Sequence, residues 1–440
     1  MAAPFTARAA GFVYRAVARG TFAVLRRHRR YGRDAAIRLA RAGRVTPPAE
    51  YGAARPRIWL HGASVGEISA LPPILAELAK AWPAAGIVVS AFTDTGVDRA
   101  RRLVGPERAF ALPADCRAPL ERAFATLTPD LLLLAETELW PGLLATAAAL
   151  DVPVAVVNGR LTAESFSRYR LLAPLLRPLL ADLRAVAAQS ADDAARFAVL
   201  GVRPAALGVA GSSKIDAQPW ADAAGPPLPL AGRAVLVAGS TRDGDEELLL
   251  TAYGALGMSP APLLVLAPRH LPRLAAIEAL CTRRGFRSAR RSASPEPLAA
   301  ALHAAAARGT EVLLLDTLGE LAAAYALGWA AVVGGGFTGR GGHNLLEPAV
   351  RGRAVLFGPG QRGTAGEVEL LLASGGAISC ANAQEVAASL RPLLADPDAA
   401  RAAGEKARAA VAGARGAAAR AVGFVAERLG PGFPARAAGA

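Results

Sequence analysis

Arg57-Ile58-Trp59-Leu60-His61-Gly62-Ala63-Ser64-Val65-Gly66-Glu67 joins a short apolar run to a tight turn of small residues, and the stretch behind it, Ile68–Ala81, is amphipathic. Strand, turn and helix in that order open a βα unit. The same alternation continues outward. Ile87–Ala91, Leu131–Ala135, Val154–Val157 and Ala185–Ala188 read as buried strands, with helix-like stretches such as Pro141–Ala149 between them. A second series starts at Ala234–Ala238 and continues with Leu263–Ala267, Val312–Leu315, Ala330–Val333 and Ala354–Phe357. Near-continuous apolar strands separated by helices predict parallel sheets covered on both faces, hence an α/β protein.

Between the two series lies Ala217–Leu230, which contains Pro219, Pro226, Pro227 and Pro229 and reads as a linker. The predicted organisation is therefore a basic arm over 1–44, a first domain over 45–216, a linker over 217–230 and a second domain over 231–440. The Ala/Arg-rich tail beyond about Asp396 is assigned to the second domain as its closing helix. The two series show no internal sequence repeat that aligns.

The chain has 440 residues, 53% hydrophobic and 20% charged, which excludes a disordered or fibrous protein. Cys116, Cys281 and Cys380 are far apart and odd in number, which excludes a disulfide scaffold and a cysteine zinc site. The formal charge is +14. Residues 1–44 hold eleven Arg against one acid, Asp34, so the arm carries +10 and the other 396 residues only +4. Phe5, Phe12, Val13, Val17, Val24 and Leu25 alternate with Arg8, Arg15, Arg19, Arg26 and Arg27. That pattern suits a helix lying on an anionic membrane surface, and its uncharged runs are too short to span one. The alternative of an arm that touches nucleic acid is disfavoured, because the body shows neither a basic field nor an aromatic stacking platform.

The chemistry-bearing residues cluster at strand ends, where doubly wound sheets bind their ligands. Glu67 closes the first turn at the mouth of a helix; it is either an ordinary first-turn acid or a general base kept ionised there. Glu136 and Glu138 follow Leu131–Ala135 and read equally as a capping pair for the helix at Pro141 or as functional acids. Asn158-Gly159-Arg160 is a weaker polar turn. Lys214, in Gly211–Asp216, is one of three lysines in an Arg-dominated chain and marks either a required point charge or a solvated surface. In the second half, Arg269 follows a strand and offers a planar fork for phosphate. Gly334-Gly335-Gly336-Phe337-Thr338-Gly339 leads through Gly341, Gly342 and His343 to Asn344 and Glu347. Asn344 is placed to cap the helix carrying Glu347, and the stretch reads either as a nucleotide loop, whose first helix amides would meet an anion while the acid holds ribose hydroxyls, or as a glycine-rich crossover. It is neither a Walker loop nor a Rossmann fingerprint. Asp243-Gly244-Asp245 mimics a metal pair but is better explained as a helix start, and no cluster has metal-ligand spacing.

Taken in order, HGASVGE (61–67), AETELWP (135–141), GSSKID (211–216), GSTRDG (239–244), APRH (267–270), DTLGEL (316–321) and GGHNLLEP (341–348) resemble the 3-deoxy-D-manno-octulosonic acid (Kdo) transferases of lipopolysaccharide biosynthesis. The resemblance runs from about Arg57 to Pro359. It implies the GT-B fold, two doubly wound Rossmann-like domains facing a cleft. It implies transfer of Kdo from CMP-Kdo to the lipid A precursor, lipid IVA, at the cytoplasmic face of the cell inner membrane, with inversion and with no metal or other cofactor. By the same resemblance Glu67 is the base, Glu136 and Lys214 stabilise the transition state, and Pro268, Arg269, Leu318, Gly319, Glu320, Asn344, Leu345, Leu346 and Glu347 bind CMP. The sequence departs from the family pattern at Gly358-Pro359-Gly360, where Gly-Pro-His is usual. It departs again at Arg242, where the family has His, and at Asn158-Gly159-Arg160-Leu161, where the family has Asn-Ala-Arg-Leu. Another GT-B nucleotide-sugar transferase, or a sugar-nucleotide epimerase, is the alternative of the same fold class.

Overall fold

A computed structural model describes residues 35–219, 228–230, 232–339, 341–361 and 364–434. These fall into two compact units, one of residues 1–217 with 416–440 and one of 218–415. Most of the basic arm, residues 1–34, and most of the linker lie outside the described residues.

The first unit is built on a seven-stranded parallel sheet of β1 (Arg57–His61), β2 (Gly86–Ala91), β3 (Ala109–Ala111), β4 (Leu131–Ala135), β5 (Val154–Gly159), β6 (Ala185–Ala188) and β7 (Leu207–Val209), in the order β3-β2-β1-β4-β5-β6-β7. Ile58 pairs in register with Ile87 on one side and Leu131 on the other. Every residue of β4, β5 and β6 is buried, the signature of strands covered on both faces. Trp59, fully buried, packs on Phe124 with ring centroids 5.0 Å apart, and its indole N–H donates to Ser90 Oγ at 2.8 Å.

The second unit repeats the architecture with β8 (Val235–Thr241), β9 (Leu263–Pro268), β10 (Ser288–Arg290), β11 (Val312–Leu314), β12 (Ala330–Val333), β13 (Ala354–Phe357) and β14 (Ala377–Ser379), in the order β10-β11-β9-β8-β12-β13-β14. All ten strands read from the apolar runs form. The four that the sequence does not announce are β3, β7, β10 and β14, the short edges of the two sheets.

Two boundaries move. The last helix, Ala417–Leu429, was assigned by sequence to the second domain, but it packs against β5, β6 and the helix Leu71–Ala81 of the first unit. Its Ala418, Ala421, Val422 and Val425 are buried in the first unit's core, an i, i+3, i+4, i+7 stripe. The carboxylate of Asp216 accepts the N–H groups of Gly416 at 2.7 Å and Ala418 at 2.8 Å, which tethers the helix start. At the other end, residues 35–44 belong to the globule rather than to the arm. Ile37 and Ala40 on the helix Ala35–Arg41 are buried, and Arg41 donates to Asp94 Oδ1 at 3.0 Å and Phe92 O at 2.8 Å. No helix among the described residues is long and apolar enough to cross a membrane.

Candidate active site

In the first sheet the strand order reverses between β1 and β4, so connections leave these neighbours in opposite directions and open a crevice at their carboxyl ends. Glu67 follows β1 and Glu136 follows β4. Ser64 caps the short helix Val65–Ser69, accepting from the Glu67 N–H and donating its hydroxyl to Glu67 Oε1 at 3.0 Å, while Glu67 Oε2 accepts the Ala63 N–H at 2.6 Å. This is a capping box turned back on the strand end. It fixes the carboxylate with neutral donors only: among the described residues no Lys, Arg or His side chain ion-pairs with Glu67. Burial first, then the charges of Glu138 and Glu136, push the Glu67 carboxyl up to about 7, against the pull of the Ala63 and Ser64 hydrogen bonds.

Of the two neighbouring acids, Glu136 is paired with cations. Glu136 Oε1 receives Lys214 Nζ at 2.7 Å, and its other oxygen lies 4.0 Å from Arg160 Nη1. Glu138 Oε2 accepts the indole N–H of Trp140 at 2.7 Å and lies 3.5 Å from Nε2 of the fully buried His61. Glu136 and Asn158 both hold left-handed backbone, at φ 55° and 54°. Asn158 bridges the set, donating Nδ2–H to Glu136 at 3.4 Å and accepting the Ser213 N–H at 3.0 Å, which brings the Lys214 turn beside β4 and β5. Non-glycine residues in that conformation cost on the order of 1–3 kcal/mol each and concentrate at working sites. Glu136, Glu138, Arg160, Arg168, Tyr169 and Leu172 line an adjoining cavity of about 470 Å³. Sequence reading singles out Glu67, Glu136 and Lys214, and the fold brings them together; His61 opens the first motif with no role assigned to it, Tyr169 carries no sequence signal, and Arg160 only a weak one.

The second unit holds the residues assigned to a nucleotide. Its strand order reverses between β8 and β12. Pro268 ends β9 and is buried, while Arg269 is exposed, its N–H donating to Thr241 O at 2.9 Å. Leu318 is 87% exposed, and Gly319 takes a left-handed φ of 87°. Glu320 is held by Arg291 at 2.9 Å and by the Thr317 hydroxyl. Asn344 Oδ1 accepts the Leu346 N–H at 3.1 Å as an Asx turn, but the N-cap position is held by Leu345 and no side chain caps the helix, which corrects the cap expected of Asn344. That helix, Leu346–Ala349, is a single turn. That revises the expected role of a helix end in meeting an anion, since one turn sums few peptide dipoles. Leu345 and Leu346 are buried core residues, and Glu347 is half-buried, its carboxyl raised by burial against the opposing charge of Arg351. At Gly360, where the family usually has His, an added Cβ would lie 2.7 Å from Gly336 O, and the Gly360 N–H donates to that same oxygen. Here a side chain is replaced by close backbone pairing. Among the described residues no group of three His, Cys, Asp or Glu side chains could hold a metal ion.

Solved structures share this two-unit architecture. HepE of Anabaena in complex with UDP aligns with a TM-score of 0.55 at 15% identity, over 85% of this chain and 99% of its own. The UDP-GlcNAc 2-epimerase of Neisseria meningitidis bound to UDP-GlcNAc aligns at 0.54 and 13%, over 84% and 99%. The fold is thus that of the GT-B glycosyltransferases and the related epimerases. Sequence narrows the class. The family model described as 3-deoxy-D-manno-octulosonic-acid transferase (kdotransferase) matches residues 31–217. The 3-deoxy-D-manno-octulosonic acid transferase of Bordetella pertussis is 34% identical over 389 residues, 83% of this chain and 86% of the relative. The enzyme of the same name from Haemophilus influenzae is 31% identical over 336 residues, 75% of each. The chain belongs to the Kdo transferase family of lipopolysaccharide biosynthesis and is a glycosyltransferase.

Proposed function

We propose that the protein transfers Kdo from CMP-Kdo to lipid IVA in a single inverting displacement, with Glu67 as the general base. The observation that carries this reading is the unequal treatment of three neighbouring acids. Glu136 is paired with the cations Lys214 and Arg160, and Glu138 accepts the Trp140 N–H with His61 Nε2 3.5 Å away, but Glu67 has only the Ala63 N–H and the Ser64 hydroxyl and is held up to about 7. A base works best when its pKa lies near the working pH. In the reaction Glu67 takes the proton of an acceptor hydroxyl as the oxygen attacks the anomeric carbon and the bond to the CMP phosphate breaks. Attack opposite the leaving group inverts that carbon. Lys214, oriented by Glu136, supplies fixed positive charge while negative charge moves towards the phosphate.

Pro268, Arg269, Leu318, Gly319, Glu320 and Asn344 through Glu347 serve the donor in this reading. CMP-Kdo is a co-substrate, and the reading includes no resident metal or cofactor. The acceptor is an anionic lipid, and residues 1–34 draw the enzyme to the cytoplasmic face of the inner membrane without spanning it. The test is incubation with CMP-Kdo and lipid IVA, followed by mass spectrometry of the lipid. Addition of Kdo mass, absent from the Glu67→Gln variant, is the expected result. Failure with CMP-Kdo together with turnover of a UDP-sugar would overturn it in favour of another nucleotide-sugar enzyme.

A further inference from the structure

A second strand-end assembly, in the second unit, contains residues that nothing above assigns. Ser240, at a left-handed φ of 56°, turns the chain at the end of the central strand β8 and delivers Arg242. The Arg242 N–H donates to Asp245 Oδ2 at 2.8 Å, and the same oxygen accepts the Gly335 N–H at 2.6 Å. Asp245 is fully buried, so this one carboxylate clasps the end of β8 to the glycine loop after β12, across the point where the sheet's strand order reverses. The loop then returns His343 to the same place: its Nε2 accepts the Arg242 Nε–H at 3.0 Å. An imidazole that accepts at Nε2 carries its proton on Nδ1 and is uncharged. Burial, then the charges of Arg242, Arg269 and His270, hold His343 down at about 4, so it remains an acceptor through the neutral range.

The pairing leaves Arg242 with its end-on fork unused. Among the described residues neither its Nη groups nor the Arg269 guanidinium has a hydrogen-bond or ion-pair partner, whereas neighbouring guanidiniums are neutralised: Arg273 by Glu246 and Asp243, Arg291 by Glu320, Arg284 by Glu247. Two uncompensated guanidiniums at the ends of adjacent strands β8 and β9 describe an anion site, and the Nη pair of an arginine whose Nε is already engaged matches two oxygens of one phosphate.

We propose that Arg242, aimed by His343, binds the phosphate of the nucleotide donor together with Arg269, and that Asp245 holds the frame in which they meet. This rests on the donor-side reading given above. His343 and Asp245 are positioning residues; Arg242 is the phosphate ligand.

Calorimetry of the full-length protein with CMP and with cytidine, which lacks the phosphate, tests it. Arg242→Ala should raise the CMP Kd by about 10- to 100-fold, the loss of a charged hydrogen-bonding partner, and leave cytidine affinity unchanged. His343→Ala should weaken CMP binding in the same selective way. His343→Gln, whose amide oxygen can accept the Nε–H, should restore most of it. Wild-type CMP affinity in Arg242→Ala while Arg269→Ala binds weakly would overturn the assignment of Arg242 and leave the donor side standing. Equal losses for CMP and cytidine would overturn it too, by showing general damage to the fold. If neither arginine affects CMP affinity, the donor-side reading falls along with the proposal.

Discussion

Replacing Glu67 by Gln separates the chemical role of this carboxylate from its structural cost, because the two change in opposite directions. Holding a group whose ordinary value is 4.5 up at about 7 makes the folded state bind its proton more tightly than the unfolded state does. A carboxyl raised in this way contributes stability that is fully present below 4.5 and is lost as pH rises through 7. The interval from 4.5 to about 7, at about 1.4 kcal/mol per pH unit, is a penalty of about 3 kcal/mol at any pH above 7. Gln removes the ionisation. Its amide oxygen can still accept from Ala63, but it loses part of the Ser64 contact, worth about 1 kcal/mol. The variant should therefore be more stable than the wild type by about 2 kcal/mol near pH 8.5, raising the Tm of the first unit by about 5 °C, with little or no gain near pH 5. Turnover should meanwhile fall by about 10²–10⁴-fold while CMP affinity holds. Thermal unfolding at the two pH values, run beside the transfer assay, decides it. An unchanged Tm near pH 8.5, or the same gain at both pH values, would refute the account of how Glu67 is held, and near-wild-type turnover would refute its role as base.

The same electrostatics predict an activity profile: kcat/KM should fall as pH drops below about 7, following protonation of Glu67, and Glu67→Asp should not restore the wild-type limb. Lys214→Met removes the ammonium 2.7 Å from Glu136, leaves that charge to act more strongly on Glu67, and should move the acid limb upward as well as lowering kcat; an unmoved limb would mean the three groups are not coupled. Arg269→Ala and Glu347→Ala should each weaken CMP binding by about 1.5–3 kcal/mol in calorimetry, and unchanged affinity in both would contradict the donor-site map. Deletion of residues 1–34, rather than 1–44, should release the protein from anionic vesicles in a sedimentation assay and leave CMP affinity intact, since residues 35–41 form a helix packed into the first unit. Co-sedimentation equal to that of the full chain would remove the arm as the membrane attachment.

What the sequence could announce was set by burial. Strands covered on both faces must be apolar along their length, so runs such as Leu131–Ala135 declare themselves without an alignment. The missed edges behave differently. Leu207–Val209 and Ser288–Arg290 are half-exposed three-residue segments whose strand character comes from hydrogen bonds offered by β6 and β11, not from their own composition. The last helix shows the complementary limit. Its apolar stripe was legible, but a stripe does not say which of two sheets will receive it. Here the deciding groups are the Asp216 carboxylate and the Arg420 guanidinium, which donates to Ala210 O at 2.9 Å, contacts spanning about two hundred residues of sequence. At the site, Glu67, Glu136 and Lys214 were each open to a structural reading from their residues alone, and it was the family resemblance that singled them out. The left-handed backbone at Glu136 and Asn158, which aims the carboxylate and joins it to the Lys214 turn, is imposed by tertiary contacts and leaves no mark in the local sequence.

The two units use one piece of backbone geometry for opposite electrostatic ends. Each sheet reverses its strand order beside its first strand, at β1 and β4 in one unit and at β8 and β12 in the other, and each crevice is entered by a strand-end turn. In the first, burial and the two carboxylates of Glu138 and Glu136 raise the proton affinity of Glu67, which suits a place where a neutral hydroxyl must lose a proton. In the second, Arg242 and Arg269 stand without acidic partners among the described residues, beside an imidazole kept neutral, which suits a place where an anion must arrive already charged. Exchanging the two chemistries would disable both: a guanidinium beside Glu67 would pull its pKa down and weaken the base, and an acid beside Arg242 would compete with phosphate for the fork. In the proposed reading, the sorting of charge between the crevices, more than the identity of any one residue, divides a proton-abstracting half from an anion-binding half in this protein.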